Sequence, residues 1–155
     1  MIEQTKAPCA PPAPLLNRAT NGLFTPGSTF KVITTAAAID SGAYGPSSHF
    51  KDPGFCMEYG KKVSNFADQN GPEVFGTVTL TDALVHSINA VYCEIGKALG
   101  PKTILAYAKR FGFYSTPPLE TPAGERSPSG LYNGSKLFQP RTSGDVDPGR
   151  LAFGQ

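Results

Sequence analysis

The chain has 155 residues and a formal net charge of +2 without any block of like charges, which argues against a nucleic-acid partner or a polybasic membrane surface. That length holds one domain at most and suffices to bury a core, while no apolar stretch approaches the ~20 residues of a membrane helix. With 17 glycines and 15 prolines, well above the roughly 12% that the two make up in average proteins, loops are expected to take a large share.

Residues 1–14 are polar, then Pro-rich, and read as an extended lead-in without a core of its own. No charged-then-apolar leader precedes them, so Met1 reads as the start of an excised piece. Residues 15–25 approach a turn at Pro26-Gly27, from which an apolar helix is predicted over 28–41, stopped by Gly42. Phe30, Val32, Ile33, Ala36, Ala37 and Ile39 wrap most of the way round it, the pattern of a buried helix. Residues 44–76 are turn-rich, with a short strand predicted near 56–63 and Glu58, Lys61 and Lys62 on a solvated hairpin surface. Thr79-Leu80-Thr81-Asp82 reads as a capping start for a short helix over 81–86. A second helix is predicted over 90–99, with Val91, Ile95, Ala98 and Leu99 as its apolar stripe. Gly100 stops it, and Pro101 opens another running to about Phe111, with Ile104, Leu105, Ala108 and Phe111 inward. Residues 116–150 hold six prolines and five glycines and read as a mobile loop flanking a cleft.

In the apolar wall of the first helix sits one cation, Lys31, one turn after Ser28. Residues three apart share a helix face, so the amine can approach the hydroxyl. Burial favours a neutral lysine, and a neutral amine beside a serine is a base beside a nucleophile. The helix N-terminus adds backbone N–H groups suited to an oxyanion. Serine is also a common N-cap, and lysine can snorkel to the surface. A second Ser-x-x-Lys, Ser48 to Lys51, lies between Gly45-Pro46 and Asp52-Pro53-Gly54, where no helix can put both residues on one face. Ser87-Ile88-Asn89 falls between two predicted helices, 59 residues after Ser28. Its hydroxyl can relay a proton and its amide can bind a substrate backbone and hold Lys31, or else it is only a helix-breaking serine and an asparagine cap. His86 reads as a helix-end histidine and His49 as an exposed turn residue, with Asp68 and Glu73 in loops. Cys9, Cys56 and Cys93 lack metal spacing, and no metal or cofactor is expected.

Leu15-Leu16-Asn17-Arg18-Ala19-Thr20, then Phe24-Thr25-Pro26-Gly27-Ser28-Thr29-Phe30-Lys31 and Ser87-Ile88-Asn89, resemble the active-site region of penicillin-binding proteins of the monofunctional elongation or division type. The resemblance implies an α+β fold of the β-lactamase and DD-transpeptidase kind, of which residues 15–155 would be the N-terminal, mainly helical part. It implies a D-Ala-D-Ala transpeptidase that cross-links peptidoglycan through an acyl-enzyme, with Ser28 as nucleophile, Lys31 as its base, Ser87 as proton relay and Asn89 binding substrate. Its partners would be peptidoglycan stem peptides, β-lactam antibiotics and a glycosyltransferase, divisome or elongasome protein, at the extracytoplasmic face of the bacterial membrane. The family's third motif, Lys-Thr-Gly, does not occur; Lys102-Thr103-Ile104 lacks the glycine, and Leu151-Ala152-Phe153-Gly154-Gln155 resembles the segment before the missing part. Outside the cytoplasm Cys56 and Cys93 would be able to form a disulfide, the other reading being two small buried residues. The resemblance leaves open a β-lactamase or DD-carboxypeptidase, a β-lactam-sensing domain, and a structural fragment without activity.

Overall fold

The computed structural model describes residues 17–155, so the lead-in, Leu15, Leu16 and Cys9 lie outside it. After a single turn, α1 (Arg18–Asn21), helices build the interior, and the described strands come in antiparallel pairs, giving an α+β fold. The axis of the core is α4 (Asn89–Arg110), which packs against α2 (Lys31–Asp40) on one side and α5 (Pro148–Leu151) on another. Gly100 divides α4: its φ of 72° and ψ of 162° suit only glycine, and Pro101 restarts the helix where a missing N–H costs nothing. Close approach of α4 to α5 depends on Gly96, where a Cβ would strike the Pro148 carbonyl and lie 2.6 Å from Ala152 Cβ.

Ahead of α4, the short α3 (Leu80–Val85) is capped as its sequence predicts. Thr79 Oγ1 accepts the Asp82 N–H at 3.1 Å, and Asp82 accepts the Thr79 N–H at 3.0 Å. Strand β6 (Gly76–Thr79) runs directly into it and pairs with β1 (His49–Asp52), Phe50 opposite Val78. Between these two strands, β2 (Phe55–Glu58) and β3 (Lys61–Ser64) form a hairpin laid on α4, with Cys56 opposite Val63. Its two turn residues, Tyr59 and Gly60, both have positive φ, 46° and 76°, the primed turn that matches strand twist. The pairs β4 (Ala67–Asp68) with β5 (Gly71–Pro72), and β7 (Leu131–Asn133) with β8 (Lys136–Phe138), complete the set. The last pair, with 3-10 turns at Ala123–Glu125 and Ser143–Asp145, lies within the stretch read as a loop over 116–150.

Two apolar clusters meet at Leu99. One gathers Leu80, Ala83, Ile88, Val91, Tyr92, Ile95 and Phe153 beneath the hairpins. The other joins Phe30, Ile33, Ile104, Ala108, Leu151 and Ala152. Cys56 and Cys93 are bonded across the first, tying β2 to α4.

Four expectations about burial need correction. Helix α2 is not enclosed all round: α4 covers one side of it, and Val32 and Ile39 face solvent among the described residues. Ala98 and Phe111 are also exposed. Gly112, at φ 92°, turns the chain so that Phe113, rather than Phe111, packs edge-on against Phe30 at 5.5 Å. Glu58 is buried, not solvated, because the hairpin lies flat on α4. Burial pushes its carboxyl up from the usual range, Asp147 adds to this, and Lys97, 3.8 Å away, opposes it.

Candidate active site

The site begins with a tight turn. Gly27, at φ 57°, swings the chain out of Pro26 into a 3-10 helix over Gly27–Phe30, and Thr29 Oγ1 closes it by donating to the Pro26 carbonyl at 2.8 Å. Phe30 is buried and anchors the turn, while Ser28 stays exposed on top of it. Beneath runs the segment after α5. Gly154 accepts the Gly27 N–H at 3.1 Å, and the Ala152 carbonyl accepts from Thr34 Oγ1 at 2.7 Å. Gly154 has to be glycine twice over: its φ is 78°, and a Cβ there would run into the Gly27 backbone.

Lys31 opens α2 one turn on, its side chain 1% exposed. The amine donates to the Ser87 carbonyl at 2.6 Å, Ser87 Oγ at 2.9 Å and Asn89 Oδ1 at 2.7 Å. No hydrogen bond joins it to Ser28, the partner that helix spacing suggested. Three acceptors from a loop 56 residues later take up the three N–H groups of an ammonium, and these the helix alone could not foretell. The ring of Tyr92 lies under the amine, 5.3 Å away. Among the described residues no carboxylate pairs with Lys31, and burial alone draws its pKa down from 10.5 to about 8.

Ser87-Ile88-Asn89 bridges α3 and α4. Ser87 is held at φ 56°, a left-handed conformation unusual for a side-chain-bearing residue, and Ile88 is the buried plug that holds it there. The Ser87 N–H reaches the Leu84 carbonyl at 3.1 Å and the Ile88 N–H the Ala83 carbonyl at 2.9 Å. Asn89 Nδ2 donates to the Ser64 carbonyl at 3.1 Å, which turns its oxygen towards Lys31. The structure therefore brings Lys31, Ser87 and Asn89 into direct contact and sets Ser28 one turn away. What results is an exposed hydroxyl at a helix start, one turn before a buried amine that donates to a second hydroxyl.

The other candidates lie elsewhere. Ser48 and Lys51 fall on the β1 side, and Lys102 and Thr103 in the second half of α4. His86 ends α3 with its ring 5.0 Å from that of Phe75. The Cys56, Glu58 and Cys93 ligand atoms cluster within 4.8 Å, but the disulfide engages both sulfurs and leaves one carboxyl. Sequence reasoning missed Thr34, Ser64, Asn65, Tyr92 and the supporting role of 152–154. Only the last had a signal, the glycine at 154; the others are ordinary residues whose partners lie far along the chain.

The profile of the "Penicillin binding protein transpeptidase domain" family matches residues 2–137. Peptidoglycan D,D-transpeptidase PbpA of Mycolicibacterium smegmatis is 38% identical over 110 residues, covering 70% of this chain and 22% of that protein. Penicillin-binding protein 1A of Clostridium tetani is 36% identical over 100 residues, 62% of this chain and 13% of the relative. The penicillin G acyl-enzyme complex of penicillin-binding protein A from M. tuberculosis superposes with a TM-score of 0.73 at 31% identity, covering 95% of this chain and 32% of that one. The D,D-transpeptidase domain of a peptidoglycan glycosyltransferase from Eggerthella lenta gives 0.69 at 30% identity, over 90% and 30%. The chain thus spans about a fifth of the length of the curated PbpA relatives it matches.

Proposed function

Since the chain belongs to the penicillin-binding protein transpeptidase family, we propose that it carries the acylating half of a serine D-Ala-D-Ala transpeptidase active site. Residues 15–155 would form the N-terminal part of that domain. The observation that carries this reading is the buried Lys31 amine held by Ser87 and Asn89 one turn from the exposed Ser28. That arrangement would supply a nucleophile, a base of lowered pKa and a hydroxyl able to pass a proton from that base to the leaving amine.

Ser28 Oγ would attack the carbonyl of the penultimate D-Ala of a peptidoglycan stem peptide, its proton passing to neutral Lys31. An ester then forms at Ser28, the C–N bond breaks, and the leaving D-Ala amine takes the proton back by way of Ser87. The amine of a neighbouring stem peptide would reverse these steps and complete the cross-link. Backbone N–H groups of the Gly27–Phe30 turn lie at the helix start, where they favour negative charge on the attacked oxygen. A β-lactam would acylate Ser28 by the same route, because its amide offers the same bond. On this reading the working protein would act at the extracytoplasmic face of the bacterial membrane, alongside a glycosyltransferase, divisome or elongasome partner. No described helix is long and apolar enough to cross a membrane.

Intact mass after incubation with penicillin tests the reading, both on the chain and on a chain extended through a Lys-Thr-Gly strand. The expected result is one adduct that Ser28→Ala abolishes. An extended chain without an adduct would overturn acyl transfer, and an adduct lost within minutes would show a hydrolase instead.

A further inference from the structure

Two consecutive residues at the end of the hairpin hold two consecutive residues at the start of α4. The Ser64 carbonyl accepts the Asn89 side-chain amide at 3.1 Å, and Asn65 Oδ1 accepts the Ala90 N–H at 2.9 Å. Asn65 is 5% exposed, and its Nδ2 donates to both oxygens of Asp52, at 3.0 and 2.9 Å, and to the Glu73 carbonyl at 2.9 Å. Asp52, 2% exposed, also accepts the Gly54 and Phe75 N–H groups, each at 2.9 Å. Among the described residues no lysine or arginine pairs with this carboxylate. A buried charge balanced only by N–H donors is a costly way to pin a hairpin that an apolar side chain would also pin. Its effect is orientational. Were the Asn65 amide turned over, its oxygen would face the Asp52 carboxylate and its NH2 would face the Ala90 N–H, like against like at both ends.

We propose that Asp52 and Asn65 are positioning residues for the acylation site: Asp52 fixes the sense of the Asn65 amide, Asn65 holds the first backbone N–H after Asn89, and the Ser87–Asn89 loop is thereby seated on Lys31. The proposal rests on the reading of Ser28, Lys31 and Ser87 as the acyl-transfer group. Neither positioning residue touches the reacting atoms. Their influence runs through the seat of the loop, which keeps water from the Lys31 amine. The groups in contact with that amine are Ser87, Asn89 and the Tyr92 ring; since burial is what lowers its pKa, water entering beneath an unseated loop should outweigh the loss of the Ser87 and Asn89 acceptors and move the titration up.

The experiment follows the Lys31 Cε signal by NMR against pH in 13C-lysine-labelled chain, the signal being assigned by its loss in Lys31→Arg. Wild type should titrate near pH 8. Asn65→Ala and the near-isosteric Asp52→Asn should each move the midpoint up by about one unit, cutting the neutral fraction at pH 7 about tenfold. Val63→Ala, which trims a buried apolar side chain of β3 two residues before Asn65, should lower the melting temperature and leave the midpoint in place. A folded Asn65→Ala or Asp52→Asn with the wild-type midpoint would overturn the proposal, as would an equal shift in Val63→Ala. This titration needs no β-lactam. If penicillin acylates no variant of the chain extended through a Lys-Thr-Gly strand and the midpoint still moves, the acyl-transfer reading fails and the positioning of Lys31 stands.

Discussion

A single amine sets the pH behaviour of this site. With its pKa near 8 rather than 10.5, about a tenth of Lys31 is neutral at pH 7, roughly 300-fold more than for a solvated lysine. The group is charged below its folded pKa, so the rate of acylation by penicillin should rise about tenfold per pH unit up to 8 and level off above. A stopped-flow pH profile flat from pH 6 to 9 would exclude Lys31 as the base. Ser87 offers a second test, because its left-handed φ of 56° costs a side-chain-bearing residue about 1 kcal/mol. Ser87→Gly should therefore gain up to about that much stability and still lose tenfold or more in acylation, a split that melting curves and adduct kinetics read separately. At this scale the sequence marked the candidate residues and an Asn89 amide able to hold Lys31, and was silent about what seats the loop that carries it. Ser28, Lys31, Ser87 and Asn89 are recognisable by type and order. That Lys31 donates to Ser87 and Asn89 depends on a loop whose seat is made by Ser64 and Asn65, and nothing in the local pattern of those two marks them.

Helix boundaries with chemical punctuation are the elements that were legible. Thr79 with Asp82, and Gly100 with Pro101, each name a start or stop whose mechanism is local. Strands were harder to read. The β1–β6 and β2–β3 pairs are four residues long, flanked by Gly and Pro, and the turn at Tyr59-Gly60 lacks the usual Asn or Asp. Exposure of Val32, Ile39 and Phe111 also escaped, since periodicity shows that a helix is apolar and not how many neighbours it has. Gly96 carries the prediction for this scale. Gly96→Ala would press a methyl group onto the Pro148 backbone, push α5 off α4 and shift the 152–154 floor under Ser28. It should cost about 1–3 kcal/mol and slow acylation as well. Gly100→Ala should cost a similar amount through its backbone angles, but leave the acylation rate of the folded protein near wild type.

For the molecule as a whole, stability should depend on redox state and on pH. The Cys56–Cys93 bond closes a loop of 37 residues, and the chain-entropy relation gives it about 4 kcal/mol. A Cys56→Ser/Cys93→Ser variant should thus melt about 8–16 °C lower, and reductant should have no further effect on it. Lys31 adds a pH term. Its folded pKa lies below its unfolded one, so the unfolded chain binds more protons between pH 8 and 10.5, and this group's contribution to stability should rise across that window by up to about 3 kcal/mol. The floor beneath the Ser28 turn has a further consequence, in time. Thr34 and its partner Ala152 are 118 positions apart, so at ribosomal speed of roughly 5–20 residues per second the serine is made about 6–24 s before its support. Throughout that interval a nascent chain displays Ser28 and Lys31 without the geometry proposed to activate them, and on that proposal it would be shielded from premature acylation simply by being unfinished.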